Sequence, residues 1–401
     1  MGQKRGRDPS WRGMIIYNIF IHLLLIILSP VFLFYYFFEP ERFGWKTGKK
    51  KYWIHAASVG EINMLRNIIK NLTGDIIITT MTNTGKKRAK ELYPEYEVRL
   101  LPFDSPLFLW STIKKSRPEM VIIAECELWP NFFRLVKRIG ARIVIINGRI
   151  ESTQYKRFKW FIKGTIDRID RVFAAGKENV NRFVEIGIPR EKIEIVNNLK
   201  YDVIPVLRPI KKQFYMLKEK PLFVCGSTHS GEEEIIIKNL FKNVVTIIAP
   251  RHLFRVREIE ILLKKNGVNY TKYSRGIYNG EDVVILDTIG DLPSFYSIAD
   301  LVMIGGTLTP VGGHNPVEAA IFGKPIIFGS NISTIDEFAQ ALVRGGAAVI
   351  VDRGNFGRTL SSLFKNAEKR KDMGKKAAEI TKKFTGSTRL ILKEINDYRH
   401  W

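Results

Sequence analysis

The sequence predicts an α/β protein of two tandem parallel-sheet domains, with an apolar segment ahead of them. Three observations carry this reading. Short β-branched runs alternate with longer amphipathic stretches from about residue 50 onward, the signature of βαβ units. The series pauses at a basic linker near Val206 to Lys220 and then restarts. The 401 residues fit two domains of ordinary size.

The apolar segment comes first. Met14 to Phe38 reads "MIIYNIFIHLLLIILSPVFLFYYFF", with no acid, lysine or arginine. As one helix it would rise ~37 Å, enough to cross ~30 Å of hydrocarbon with some tilt. Tyr35 and Tyr36 suit an interface, and basic residues lie on both sides, so charge does not orient the segment. A secretory signal would need a shorter apolar core and a small-residue cleavage site, whereas Glu39-Pro40-Glu41-Arg42 follows directly. Asn18, His22 and Pro30 leave room for a kinked or interfacial helix. Residues 1–40 are read as a basic segment and an N-terminal membrane-anchor helix.

Residues 41–206 form the first domain in this reading, with strands "YWIHA", "DIIITT", "VRLLP", "MVIIA", "RIVIIN" and "RVFAA". Residues 207–401 form the second, with "LFVCG", "VVTIIA", "DVVIL", "LVMIG", "PIIF" and "AAVIV", and a last helix that packs back on the first domain. Runs this apolar suit parallel strands covered on both faces. The expected architecture is two Rossmann-like domains facing an interdomain cleft.

Charge and cysteine content bound the partners. The formal net charge of +24 favours nucleic acid, an acidic membrane surface or a phosphorylated substrate. That charge is spread along the chain, without an Arg-rich tail or an RNA-binding signature. Cys126 and Cys225 are too few for a disulfide framework and fit a reducing compartment.

Ligands of open α/β sheets sit beyond the carboxyl ends of strands, so the residues that follow each strand are the candidates. "LVMIG" leads into "GTLTPVGGHNPVE". Gly312 and Gly313 permit positive φ and close backbone approach to a ligand. Asn315 is a good N-cap, Pro316 suits the first helical position, and Glu318 falls three residues after the cap. Capping explains those three, but not the double glycine or His314. A helix N-terminus is an anion site and a nearby carboxylate can hold ribose hydroxyls, so the segment reads as a nucleotide site. "CGSTHSGEE" has the same design. Ser227 and Thr228 can hold a phosphate or carboxylate, while Ser230 with Glu233 is also a capping box. Arg251, in "APRH", stands at a strand end where it can pair with an anion.

"WIHAASVGE" carries two readings. Ser58 and Glu61 make a capping box. The small residues before Glu61 also clear space for a substrate, and a buried carboxylate there can act as a general base. In "ECELWPN", Glu125 and Glu127 flank Cys126 and would point to one side of a strand continuation. A shared metal and plain loop carboxylates both stay open. No Asp-x-Asp, zinc spacing, P-loop or Gly-x-Ser-x-Gly elbow occurs, and the expectation leans to chemistry without a metal.

These motifs, with "TTMTNTG", "NGR", "NNLKYD", "CGSTHSGEEE" and "GGTLTPVGGHNPVEAA", resemble the family of 3-deoxy-D-manno-octulosonic acid (Kdo) transferases of lipopolysaccharide synthesis. The resemblance covers most of the chain and implies a GT-B glycosyltransferase fold. It implies transfer of Kdo from CMP-Kdo to the glucosamine disaccharide of a lipid A precursor, with inversion and without a metal cofactor. It assigns Glu61 as general base, and Glu125 and Lys200 as transition-state support. CMP contacts carry over to Pro250 and Arg251, to Ile289, Gly290 and Asp291, and to Asn315, Pro316, Val317 and Glu318. Two positions depart from the family pattern: Asp291, where Glu is frequent, and Cys126, where Thr is common. The implied setting is the cytoplasmic face of an anionic inner membrane, reached by the anchor, with no nucleic-acid partner. Another GT-B enzyme, such as a UDP-sugar transferase or epimerase, would share the architecture. A non-enzymatic basic membrane-surface or nucleic-acid-binding protein would leave the strand-end motifs unexplained.

Overall fold

The computed structural model describes residues 10–150, 159–202, 205–332 and 337–398. The basic residues expected at the start of the chain, 1–9, lie outside them. The chain divides into two compact units: Met1–Val203 with Thr385–Trp401, and Ile204–Phe384.

The first unit is built on β1 (Tyr52–His55), β2 (Ile76–Thr80), β3 (Glu97–Leu100), β4 (Met120–Ala124), β5 (Arg142–Gly148), β6 (Arg171–Ala175) and β7 (Ile193–Val196). They form one parallel sheet in the order β3-β2-β1-β4-β5-β6-β7. Alternate residues serve opposite faces. Val121 and Ile123 enter one core with Trp53, Ile77, Ile143 and Ile145. Met120 and Ile122 enter the other with Tyr52, Ile54, Ile76 and Ile78. Both faces are covered, so the inner strands are apolar along most of their length, and each buried side chain of this size contributes roughly 1.5–3 kcal/mol. The helix Ser387–Asn396 completes the unit: Ile391 and Ile395 join the second core, and Ser387 Oγ accepts from the Asn197 amide at 2.9 Å.

The second unit repeats the plan with β8 (Leu222–Thr228), β9 (Val245–Pro250), β10 (Tyr270–Lys272), β11 (Val283–Ile285), β12 (Leu301–Ile304), β13 (Ile326–Gly329) and β14 (Ala348–Val351). The parallel order is β10-β11-β9-β8-β12-β13-β14. In each sheet the chain first lays strands on one side of its first strand, with β11 inserting between β9 and β10 in the second, then crosses to the other side. The topological switch points are therefore β1/β4 and β8/β12, where α/β sheets hold their ligands. Two strands lie outside the expected twelve: β7, "IEIV", and β10, "YTK". Both sit at sheet edges and carry polar residues, so neither reads as an apolar run.

The apolar N-terminal segment is not one helix. α1 (Ser10–Ile27) and α2 (Ser29–Phe38) break at Leu28, and the apolar stretches Met14–Ile27 and Ser29–Phe38 bend by 81°. Pro30 has no N–H for the Ile26 carbonyl, so the ladder stops and restarts with proline in the first turn. Among the described residues no single helix is long and apolar enough to cross a membrane. One side of the bent pair is tied to the first unit. Tyr17 Oη donates to Asp104 Oδ2 at 2.7 Å, Asn131 Nδ2 donates to Asn18 Oδ1 at 2.9 Å, and Phe32 packs edge-on against Phe103. On the other side Ile26, Ile27, Phe37 and Phe38 are each at least 70 % exposed.

Candidate functional site

At the first switch point, β1 ends in His55 and the helix Val59–Met64 starts after Ser58. Ser58 Oγ accepts from the Glu61 amide at 3.3 Å and donates to Glu61 Oε1 at 2.8 Å, while Glu61 Oε2 accepts from the Ala57 amide at 2.8 Å. The capping box is real, and it fixes the carboxylate rather than exhausting its role. Burial raises the Glu61 pKa against those hydrogen bonds, and the charges of Glu125 and Glu127 raise it further.

Those two carboxylates follow β4. Glu125 holds a left-handed φ of 55°, uncommon for a side chain of this size. Glu127 Oε2 accepts from His55 Nε2 at 2.6 Å and from Trp129 Nε1 at 3.2 Å. Burial alone would raise the Glu127 pKa, but the bond and charge of His55, with Trp129, leave it below the ordinary value. His55 Nδ1 lies 3.0 Å from Thr79 Oγ1, which accepts from Trp53 Nε1 at 2.9 Å. The structure thus commits Glu127 to His55 rather than to a ligand pair with Glu125.

The third expected residue arrives from the far side of the sheet. Asn147, at φ 54° near the end of β5, accepts through Oδ1 from the Leu199 amide at 2.9 Å. Asn198 Oδ1 accepts from the Lys200 amide at 3.0 Å, and the Lys200 ammonium lies over the Tyr201 ring, 5.2 Å from its centroid. Glu61, Glu125 and Lys200 therefore all follow the carboxyl ends of strands in one sheet.

At the second switch point two glycines admit close neighbours, one from a helix and one from a strand end. A Cβ at Gly226 would fall 1.7 Å from the Tyr296 hydroxyl, and one at Gly305 would fall 2.2 Å from the Ser227 carbonyl oxygen. Ser227 takes a φ of 58° where the β8/β9 register shifts. Thr228 is fully buried and donates through Oγ1 to Glu233 Oε1 at 2.8 Å. Glu233 also receives both Arg255 amino groups, at 2.6 and 3.1 Å. The expected Ser230–Glu233 capping box therefore does not form. Gly231 occupies the N-cap with no side-chain bond, because a bidentate guanidinium is the stronger partner for Glu233.

Glu232, also buried, organises the loop after β12. Its Oε2 accepts from the His229 and Gly306 amides at 2.9 and 2.7 Å, and its Oε1 from the Thr307 and Leu308 amides at 3.0 and 2.8 Å. Gly312 and Gly313 have φ of 100° and 88°, and the Gly313 amide returns to the Gly306 carbonyl at 2.8 Å. His314 Nε2 then meets His229 Nε2 at 2.7 Å. Asn315 Oδ1 caps the Val317 amide at 3.0 Å, yet the helix Val317–Ala320 is a single turn, so its end charge is smaller than expected of a full helix. Pro316 and Val317 are buried, and burial raises the Glu318 pKa.

Pro250 ends β9, and Arg251 is exposed beyond it with its amide bonded to the Thr228 carbonyl at 3.0 Å. Ile289, Gly290 and Asp291 form a separate open loop after β11. Arg208 of the linker donates to the Ile289 carbonyl at 2.6 Å and lies 3.8 Å from Asp291. His55, Arg208, His229 and Glu232 are the participants that sequence reasoning missed. His55 and His229 lie inside the quoted motifs, but their partners are 72 and 85 residues away.

Two parallel α/β sheets, each with polar residues gathered at its switch point, make the two-domain fold of GT-B glycosyltransferases. The fold is shared with Anabaena HepE in complex with UDP, at a TM-score of 0.56 and 14% identity, over 87% of this chain and 99% of that one. The family described as "3-Deoxy-D-manno-octulosonic-acid transferase (kdotransferase)" matches residues 39–203. The 3-deoxy-D-manno-octulosonic acid transferase of Chlamydia pneumoniae is 30% identical over 358 residues, 84% of this chain and 82% of that protein. A bifunctional glycosyltransferase/methyltransferase of Fusobacterium nucleatum is 33% identical over 313 residues, 73% of this chain, and the chain spans about half, 49%, of that protein. The chain belongs to the 3-deoxy-D-manno-octulosonic acid transferase family. It is a glycosyltransferase, and Kdo transfer in lipopolysaccharide synthesis is the activity that membership supports.

Proposed function

We propose that the chain moves Kdo from CMP-Kdo to the glucosamine disaccharide of a lipid A precursor, lipid IVA, with inversion at the anomeric carbon and without a metal. One observation carries the reading. A carboxylate of raised pKa stands at one switch point, and a glycine-rich loop that brings His314 against His229 stands at the other. Glu61 takes the proton of the acceptor hydroxyl as its oxygen bonds to the anomeric carbon. The bond from that carbon to the phosphate breaks, and its electron pair leaves on CMP. Raised basicity favours Glu61 in this role, and the Ala57 and Ser58 bonds orient it. Glu125 and Lys200 support the transition state. Arg251, aided by Ser227, Gly312, Gly313 and His314, stabilises the leaving phosphate in place of a metal. Pro250, the Ile289–Asp291 loop and Asn315 to Glu318 contact the rest of CMP.

The bent helices suit an in-plane seat on the cytoplasmic face of the inner membrane. Their outer apolar side chains are exposed while the inner side is fixed to the first unit. The net charge of +24 adds attraction to anionic lipid, about 1 kcal/mol per Lys or Arg near the headgroups.

Nucleotide competition tests the donor assignment. CMP should displace a labelled CMP-sugar and UDP should not. Preference for UDP would favour a UDP-sugar enzyme on the same fold.

A further inference from the structure

His229 and His314 are held by separate loops that a single carboxylate ties together. Glu232 bonds the His229 amide and the Gly306 amide, and Gly306 carries the Gly313 turn that presents His314. The rings meet nitrogen to nitrogen. Their planes differ by 11°, their Nε2 atoms are 2.7 Å apart and their centroids 5.0 Å apart. The centroids thus stand farther apart than the nitrogens by about two ring radii, which is an in-line contact and not a face-to-face stack.

An in-line N–H···N contact holds one proton between its nitrogens. Two neutral rings satisfy it, and so does one imidazolium beside one imidazole. Two imidazolium rings would set two protons against each other. The pair can therefore carry one extra proton and no more. Two guanidiniums face it, Arg255 and Arg251 around His229 and Arg251 again around His314, and the His252 ring faces both histidines. Two carboxylates lie beside it: Glu233 is already bonded to Arg255 and Thr228, and Glu232 is taken up by four backbone amides, that of His229 among them. Burial first, then the neighbouring imidazole and guanidinium groups, lower both histidines, His314 to about 4. Without a ligand the pair is neutral at pH 7. A phosphoryl anion beside Arg251 would supply the missing negative charge.

We propose that the His229–His314 pair is a proton-coupled phosphate site, which takes up one proton when a nucleotide phosphate binds. The proton comes from solvent and converts one ring to imidazolium, while the shared N–H···N bond persists. This rests on the reading of the second unit as the donor site. The leaving phosphate then departs next to a cation created by its own binding.

Calorimetry of the full chain with CMP tests this, at pH 7 in buffers of different ionisation enthalpy. The phosphate of CMP is itself mostly deprotonated there, since its second pKa is about 6. Uptake approaching one proton per CMP is expected, with affinity weakening up to about tenfold from pH 7 to pH 8. His252→Asn should keep the uptake; His229→Asn and His314→Asn should lose it and bind CMP more weakly. CMP binding with no uptake, or uptake that survives His314→Asn and vanishes in His252→Asn, overturns the proposal alone. No CMP binding by the wild type overturns the donor-site reading with it.

Discussion

His55 Nε2 donates to Glu127 Oε2 across 2.6 Å, joining the end of β1 to the loop after β4. That bond and the His55 charge hold Glu127 below its ordinary pKa, while burial raises that of neighbouring Glu61. Environments that push paired carboxylates apart assign one as fixed anion and the other as base. His55→Ala should leave half-buried Glu127 without its main donor and lower unfolding free energy by about 1–3 kcal/mol. Urea denaturation measures this, and an unchanged midpoint contradicts it.

Ser58 sets the acid limb of activity. Its hydroxyl lowers the Glu61 pKa, so Ser58→Ala should raise it. A general base works deprotonated, and activity is lost as pH falls through its pKa. The acid limb of the kcat/KM profile should therefore move to higher pH. A limb that stays in place would disconnect Glu61 from that limb.

The buried Glu233–Arg255 pair should dominate charge effects in the second unit. Glu233→Gln leaves Arg255 only 7 % exposed with its main partner neutralised, at a cost of roughly 3–5 kcal/mol. The surface pair Glu234–Lys238 serves as control, and Glu234→Gln should leave thermal unfolding where it was. Equal effects from the two variants would contradict the burial argument.

The bent helices should bind lipid through their exposed apolar side chains. Ile27→Asp with Phe38→Asp removes two exposed apolar groups worth roughly 1.5–3 kcal/mol each when buried. Co-sedimentation with anionic vesicles should fall more than tenfold at unchanged melting temperature. Undiminished binding would place the membrane contact elsewhere.

Much of this was legible in the sequence because parallel strands covered on both faces carry near-continuous apolar runs, such as "MVIIA" and the "IVII" of "RIVIIN". The edge strands β7 and β10 escaped because an edge tolerates Glu194 and Lys272. Local signals translated faithfully where partners are local: Ser58 with Glu61, and Asn315 with Val317. They misled at Ser230 and Glu233, since Arg255, 22 residues on, is the stronger partner. The bend at Leu28 was present only as Pro30 in an otherwise uniform run. His55 to Glu127 and His229 to His314 were invisible, because only the strand order brings those loops together.

The most direct measurement is product mass spectrometry after incubation of the wild type and Glu61→Gln with CMP-Kdo and a tetraacylated, bisphosphorylated lipid A precursor in EDTA. The wild type should add Kdo mass, and Glu61→Gln should do so about 10²–10⁴-fold more slowly. Near-wild-type turnover by Glu61→Gln, or wild-type product only when a divalent metal is restored, would contradict metal-free transfer with Glu61 as base.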